Sequence, residues 1–162
     1  MKILVTGGVR SGKSRYAQAR AEALGPRRIY VATAQVLDEE MADRVRRHQA
    51  DRDDTWTTVE ETYDLAGVLD RRQVVLIDCL TLWLTNLLLA ERDIAAERAR
   101  LVEALAATDD VVLVTNEVGL GIVPDNALAR RFRDEAGWLA QAVAEVCDEV
   151  WLTAAGLPLR LK

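Results

Sequence analysis

Short continuous runs of apolar residues alternate along this chain with longer segments whose apolar positions recur every three or four residues. Residues 3–6, 28–33, 73–78, 110–115 and 149–153 are the apolar or β-branched runs, and they read as strands of a buried parallel sheet. Residues 15–24 are polar and alanine-rich and read as a helix. In residues 92–107, Ile94, Leu101, Val102 and Leu105 fall at helical spacing and predict an amphipathic outer helix. Asn126 is a suitable N-cap for a long helix running to residue 147. Residues 80–89 are apolar almost throughout, are too short to span a bilayer, and read as a buried or subunit-contact helix. Residues 38–48 open on Asp38, Glu39 and Glu40, where a helix dipole favours negative charge, and carry Met41, Val45 and His48 on one face. Residues 56–59 read as a short strand, 63–70 as a short helix, and 157–162, with Pro158, as a short edge strand. Such alternation predicts an α/β fold, one domain over residues 1–162, with a mainly parallel sheet flanked by helices.

The first strand leads directly into Gly7-x-x-x-x-Gly12-Lys13-Ser14, and a helical segment follows. This is the Walker A pattern in the strand–loop–helix setting that its chemistry requires. The glycines allow a tight turn whose successive N–H groups point at one anion, and the helix N-terminus adds partial positive charge there. Lys13 is expected to reach the β- and γ-phosphates, and the Ser14 hydroxyl to ligate Mg²⁺. A glycine-rich turn with a surface lysine is the alternative, and the flanking strand and helix argue against it. The run 73–78 ends in Asp78, a Walker B arrangement that would deliver a carboxylate to the same Mg²⁺.

Carboxyl ends of strands line the ligand crevice of such sheets. Thr33, Ala34 and Gln35 are therefore expected to face the nucleotide, unless they form a plain connector. The stretch Asn116-Glu-Val-Gly-Leu-Gly-Ile-Val-Pro124 stands where a substrate loop belongs, or is itself a glycine-rich connector.

Composition narrows the choice further. The 162 residues carry 21 basic and 26 acidic side chains, a net charge of −5 that does not favour a nucleic-acid surface. There is no apolar run long enough for a membrane span. The two cysteines, Cys79 and Cys147, sit in apolar surroundings without metal-type spacing, and read as free thiols of a cytoplasmic protein.

His48 is the only histidine. A lone histidine on an apolar helix face can be a packing residue, but Arg44, Arg46, Arg47 and Arg52 crowd the same segment. Guanidinium forks bind phosphate oxygens bidentately, and a neutral imidazole is a usable nucleophile toward phosphorus. Those arginines could equally be a solvated face balanced by Asp38, Glu39, Glu40 and Asp43.

Several stretches then occur in one order: the phosphate loop, Tyr30-Val-Ala-Thr-Ala-Gln35, Asp38-Glu-Glu-Met41, Arg47-His48, Thr115-Asn-Glu-Val-Gly-Leu-Gly-Ile-Val-Pro124 and Arg130-Arg-Phe-Arg-Asp134. Together they resemble the bifunctional adenosylcobinamide kinase / adenosylcobinamide-phosphate guanylyltransferase family of cobalamin biosynthesis. The resemblance covers nearly the whole chain. It implies a RecA-like P-loop NTPase fold, a homotrimer, and two reactions at one phosphate loop. In the first, ATP or GTP phosphorylates adenosylcobinamide. In the second, GTP transfers GMP to His48, and adenosylcobinamide phosphate takes it to give adenosyl-GDP-cobinamide. The family's nucleotide contacts fall on Gly7, Gly8, Val9, Arg10, Ser11, Gly12, Lys13 and Ser14, on Thr33, Ala34 and Gln35, on Gln49, Ala50, Asp51 and Arg52, and on Glu60 and Asp78. His48 and Lys13 carry the catalysis, and Ser14 and Asp78 the metal. Two other readings stay open: a monofunctional P-loop small-molecule kinase with a structural histidine, and a RecA-like nucleotide switch or assembly protein.

Overall fold

The computed structural model describes residues 1–34, 54–69 and 72–162. The expected helix over 38–48, with its arginines, lies outside them. The described strands are β1 (Lys2–Gly7), β2 (Arg28–Ala32), β3 (Trp56–Glu60), β4 (Val74–Asp78), β5 (Val111–Asn116), β6 (Glu149–Ala154) and β7 (Leu157–Arg160). The helices are α1 (Lys13–Leu24), α2 (Leu80–Leu89), α3 (Ile94–Ala106) and α4 (Ala127–Val146). The seven strands form one sheet in the order β3-β2-β4-β5-β1-β6-β7. Neighbours are parallel except β6 and β7, which pair antiparallel at the edge. The α/β class expected from the alternation, with its C-terminal edge strand, is the one observed.

Strand periodicity of two sorts the apolar runs onto the two faces of the sheet. Leu4, Val31, Val75, Ile77, Val111 and Leu113 pack on one side against Trp83, Leu84 and Leu87 of α2, Leu101 and Leu105 of α3, and Leu139 and Val143 of α4. Ile3, Val5, Val74, Leu76, Val112 and Val114 face the other side, against Ala17 and Ala21 of α1. The alanines, four residues apart on one helix face, let α1 lie close over the strands. Helix α2 is buried at Leu80, Thr81, Trp83, Leu84, Asn86 and Leu87, so its apolar excess is used inside the chain.

Local chemistry sets the boundaries. Asn126 Oδ1 accepts from Ala129 N at 2.7 Å and starts α4, as the sequence suggests. Asp93 Oδ1 does the same for Ala96 N at 3.1 Å, so α3 begins at Ile94 rather than two residues earlier. The helix expected over 63–70 is one 3₁₀ turn, Leu65–Val68. Its cap, Asp64, lies so near Gly67 that a Cβ there would sit 2.5 Å from the carboxylate. Residues Ala155 and Gly156, with φ of 53° and 80°, form the two-residue turn of the β6–β7 hairpin. Positive φ at both positions matches the twist of antiparallel strands. No helix of the described residues is long and apolar enough to cross a membrane.

Candidate functional site

Parallel pairing brings the carboxyl ends of six strands to one edge of the sheet. Gly7 pairs with Asn116 on one side and Thr153 on the other. Ala32 stands between Glu60 and Asp78. The phosphate loop rises from the middle of this edge. Asp78 is not on the strand next to β1, because β5 lies between them. At strand spacings near 4.8 Å, that puts the acid about 10 Å from the start of the loop in the sheet plane, leaving room for phosphates and a cation.

The loop is held from several sides. Ser11 N donates to Gly8 O at 3.3 Å, and Tyr16 N to Gly12 O at 3.0 Å. Arg10 has φ of 55° and Gly12 φ of 93°, so the backbone twice enters the left-handed region that turns N–H groups inward. No side chain caps α1. Its first-turn N–H groups are thus open to an anion. Lys13 is buried, and its Nζ donates to Gly8 O at 3.1 Å, folded back over the turn. Ser14, in the first turn of α1, and Asp78 are both partly exposed. A hydroxyl and a carboxylate are hard oxygen donors, and together with nucleotide phosphates they suit Mg²⁺. Among the described residues no cluster of three His, Cys, Asp or Glu side chains could hold a metal alone.

Two contributors come from the far end of the chain, and the sequence gives no hint of them. Thr153 Oγ1 lies 2.9 Å from Ser11 Oγ in a buried contact. Gly156 N donates to Ser11 O at 2.9 Å. A Cβ on Gly12 would meet Gly156 Cα at 3.1 Å, and one on Gly7 would meet Thr153 O at 2.5 Å. The C-terminal hairpin thus forms the back wall of the phosphate loop, and glycines are needed where the two touch.

The other expected contacts divide. Gly8, Val9 and Arg10 are exposed on the loop. Thr33 is buried, with Oγ1 donating to Cys79 O and accepting from Cys79 N, both at 2.8 Å. Asn86 Nδ2 donates to Thr33 O at 2.8 Å. Thr33 therefore ties the ends of β2 and β4 to α2, while Ala34 beside it is partly exposed. Glu60 is exposed at the end of β3. Tyr30 Oη donates to Asp78 Oδ2 at 3.4 Å. The Asp78–Cys79 peptide is cis. Burial, then the neighbouring Asp78 charge, pushes the Cys79 thiol up. Asn116 Nδ2 donates to Thr81 Oγ1 at 2.7 Å, which fixes the end of β5 beside the loop. Gln35, His48, Gln49, Ala50, Asp51 and Arg52 lie outside the described residues.

Beyond β5 the chain is tied down at several points. Glu117 N donates to Gly7 O at 3.0 Å, joining this loop to the phosphate loop. Glu117 Oε1 accepts from the N–H groups of Gly119 and Leu120. From α4, Arg133 Nη2 donates to Gly119 O at 2.6 Å, and Arg130 Nη1 donates to Pro124 O at 2.9 Å and Asp125 O at 2.7 Å.

A strand, a glycine turn and an uncapped helix start at the carboxyl edge of a parallel sheet can do one thing well, which is to seat a chain of phosphates. On that ground the molecule is a P-loop NTPase-fold protein. Residues 3–161 match the family model of cobinamide kinase / cobinamide phosphate guanyltransferase, and the chain belongs to that family. It is 48% identical over 169 residues to the bifunctional adenosylcobalamin biosynthesis protein CobP of Pseudomonas aeruginosa, covering 100% of this chain and 98% of that one. It is 42% identical to the bifunctional adenosylcobalamin biosynthesis protein CobU of Escherichia coli and 43% identical to that of Salmonella typhimurium, in both cases over the full length of each chain. Among solved structures, the P4 protein from bacteriophage phi6 in complex with ADP aligns with a TM-score of 0.48 and 17% identity over 98% of this chain. The chain spans about half, 53%, of that protein.

Proposed function

We propose that this protein phosphorylates adenosylcobinamide with ATP or GTP, and then transfers GMP from GTP to adenosylcobinamide phosphate through a histidine–GMP bond, giving adenosyl-GDP-cobinamide. The observation that carries this reading is the phosphate cradle at the carboxyl edge of the sheet, in a chain of the cobinamide kinase / guanyltransferase family. In the kinase step the acceptor hydroxyl oxygen bonds to the γ-phosphorus as the bond from γ-phosphorus to the β,γ-bridging oxygen breaks. The nucleoside diphosphate leaves and the hydroxyl proton passes to solvent. In the transfer step an imidazole nitrogen of His48 attacks the α-phosphorus of GTP and pyrophosphate leaves. An oxygen of the cobinamide phosphate then attacks the same phosphorus, and the phosphorus–nitrogen bond breaks. Splitting the transfer in two replaces one difficult displacement by two easier ones.

In both steps Lys13 turns from the Gly8 carbonyl to the phosphates, and the open N–H groups of the loop and of α1 bind the oxygens on which charge develops. Ser14 and Asp78 hold Mg²⁺, which supplies charge neutralisation and orientation of the phosphates. Val9, Arg10, Ala34, Gln35, Gln49, Ala50, Asp51, Arg52 and Glu60 complete the nucleotide contacts, and Thr33 does so through the backbone it fixes. One domain carries both reactions, in the cytoplasm and as a homotrimer. The exposed Leu157, Leu159 and Leu161, alternate residues at and after β7, are apolar surface that a subunit contact would cover.

The test uses GTP labelled at the α-phosphate. An acid-labile, base-stable label on the protein, absent from His48→Asn while phosphorylation of cobinamide continues, is the expected result. Intact kinase activity with no label on the unmodified protein would leave a monofunctional kinase instead.

A further inference from the structure

We propose that the loop between β5 and α4 is the acceptor site, with the apolar part of a corrinoid resting on Leu120, Ile122 and Val123. This rests on the function proposed above, and it assigns the acceptor a place on the chain. The loop starts at the phosphate cradle, since Asn116 pairs with Gly7 and Glu117 N donates to Gly7 O at 3.0 Å. An acceptor lying on it is therefore beside the nucleotide that it must reach. Its side chains are unusually bare: Leu120 is 88% exposed, Ile122 96% and Val123 66%, and Leu128 follows in the first turn of α4 at 58%. Contiguous exposed apolar side chains next to a polar site mark a place for a ligand.

The loop is also built to hold these side chains out. Glu117 binds two of its N–H groups from within, and Arg130 and Arg133 bind three of its carbonyls from α4. Hydrogen bonds that fix a loop while its apolar residues stay in water make sense when the fixed shape is the binding shape. A corrinoid has a wide ring with methyl-bearing edges and carboxamide arms, so it offers both apolar surface and carbonyl acceptors. The loop offers apolar tips, and beneath it Arg133 Nη1 is a buried donor with no partner among the described residues.

Equilibrium dialysis of adenosylcobinamide against the full chain and against the Leu120→Ser/Ile122→Ser double variant tests the site. Both side chains are in water, so the variant keeps its fold. Losing two apolar contacts is expected to weaken corrinoid binding about tenfold or more, while a fluorescent GTP analogue binds both proteins equally. Unchanged corrinoid affinity would overturn the site and leave the proposed function standing. So would loss of binding accompanied by a fall in sedimentation mass, because the loop would then be a subunit contact. An unmodified protein that binds no adenosylcobinamide would sink the proposed function, and this site with it.

Discussion

Consider replacing Thr153 by valine, which keeps the shape of the side chain and removes its hydroxyl. That oxygen donates to Thr6 O at 3.3 Å and stands 2.9 Å from Ser11 Oγ, whose hydroxyl is then the donor to it. Both residues are buried. In Thr153→Val the Ser11 hydroxyl loses its acceptor where water cannot replace it, at a cost of about 2 kcal/mol. For a chain of this size that lowers Tm by roughly 4–8 °C. Ser11 belongs to the phosphate loop, so the strain has a second outlet. Turning the hydroxyl toward solvent relieves it but deforms the cradle, and nucleotide is then bound only after that cost is recovered. If the whole 2 kcal/mol appears in binding, the Kd for GTP rises about thirtyfold. Thermal unfolding and titration with a fluorescent nucleotide separate the two outlets, and Thr153→Ser, which restores the hydroxyl, is expected to recover both. A lowered Tm with unchanged nucleotide affinity would show that the hairpin merely packs behind the loop and does not shape it.

Three further outcomes follow from contacts elsewhere in the molecule. Lys13→Ala removes a charged donor from the cradle and is expected to weaken GTP binding about tenfold to a hundredfold by titration; its unfolding midpoint should move little, since only the contact with the Gly8 carbonyl is lost. Glu149 accepts from Arg20 Nη1 and Trp151 Nε1, each at 2.7 Å, and these bonds, that from Arg20 first, hold its carboxyl below the usual range. Its stabilisation is therefore complete above the ordinary glutamate value of about 4.3 and disappears as pH falls through the depressed folded value. Urea midpoints of Glu149→Gln should lie below those of the unmodified protein at pH 7 and converge with them in strong acid; a gap that persisted there would contradict this assignment. Burial pushes the Cys147 thiol up to about 12, and Cys79 is buried as well. A colorimetric thiol reagent at pH 8 should find neither group in the folded protein and both of them in denaturant.

Much of this architecture was legible in one dimension because local rules and the final fold agree. The run 73–78 is apolar at every central position because β4 is covered on both faces, and Gly12 must adopt a positive φ whatever follows. The Asn126 cap and the apolar run 80–89 are likewise local signals that survive into the structure. Residues 63–70 read as a helix because capping and tight packing at Asp64 and Gly67 are geometric details that periodicity does not register.

Neighbouring residues alone mark most of the described strands and helices, and the glycine turn between β1 and α1. Those features depend on residues within a few positions of one another. Folding of the whole chain is what sets β5 between the Asp78 strand and the phosphate-loop strand, and brings Thr153 and Gly156 to Ser11 and Gly12 across more than 140 residues of chain. Strand order and the approach of distant backbones arise from how whole faces of the sheet are covered, and no short window of residues contains that information.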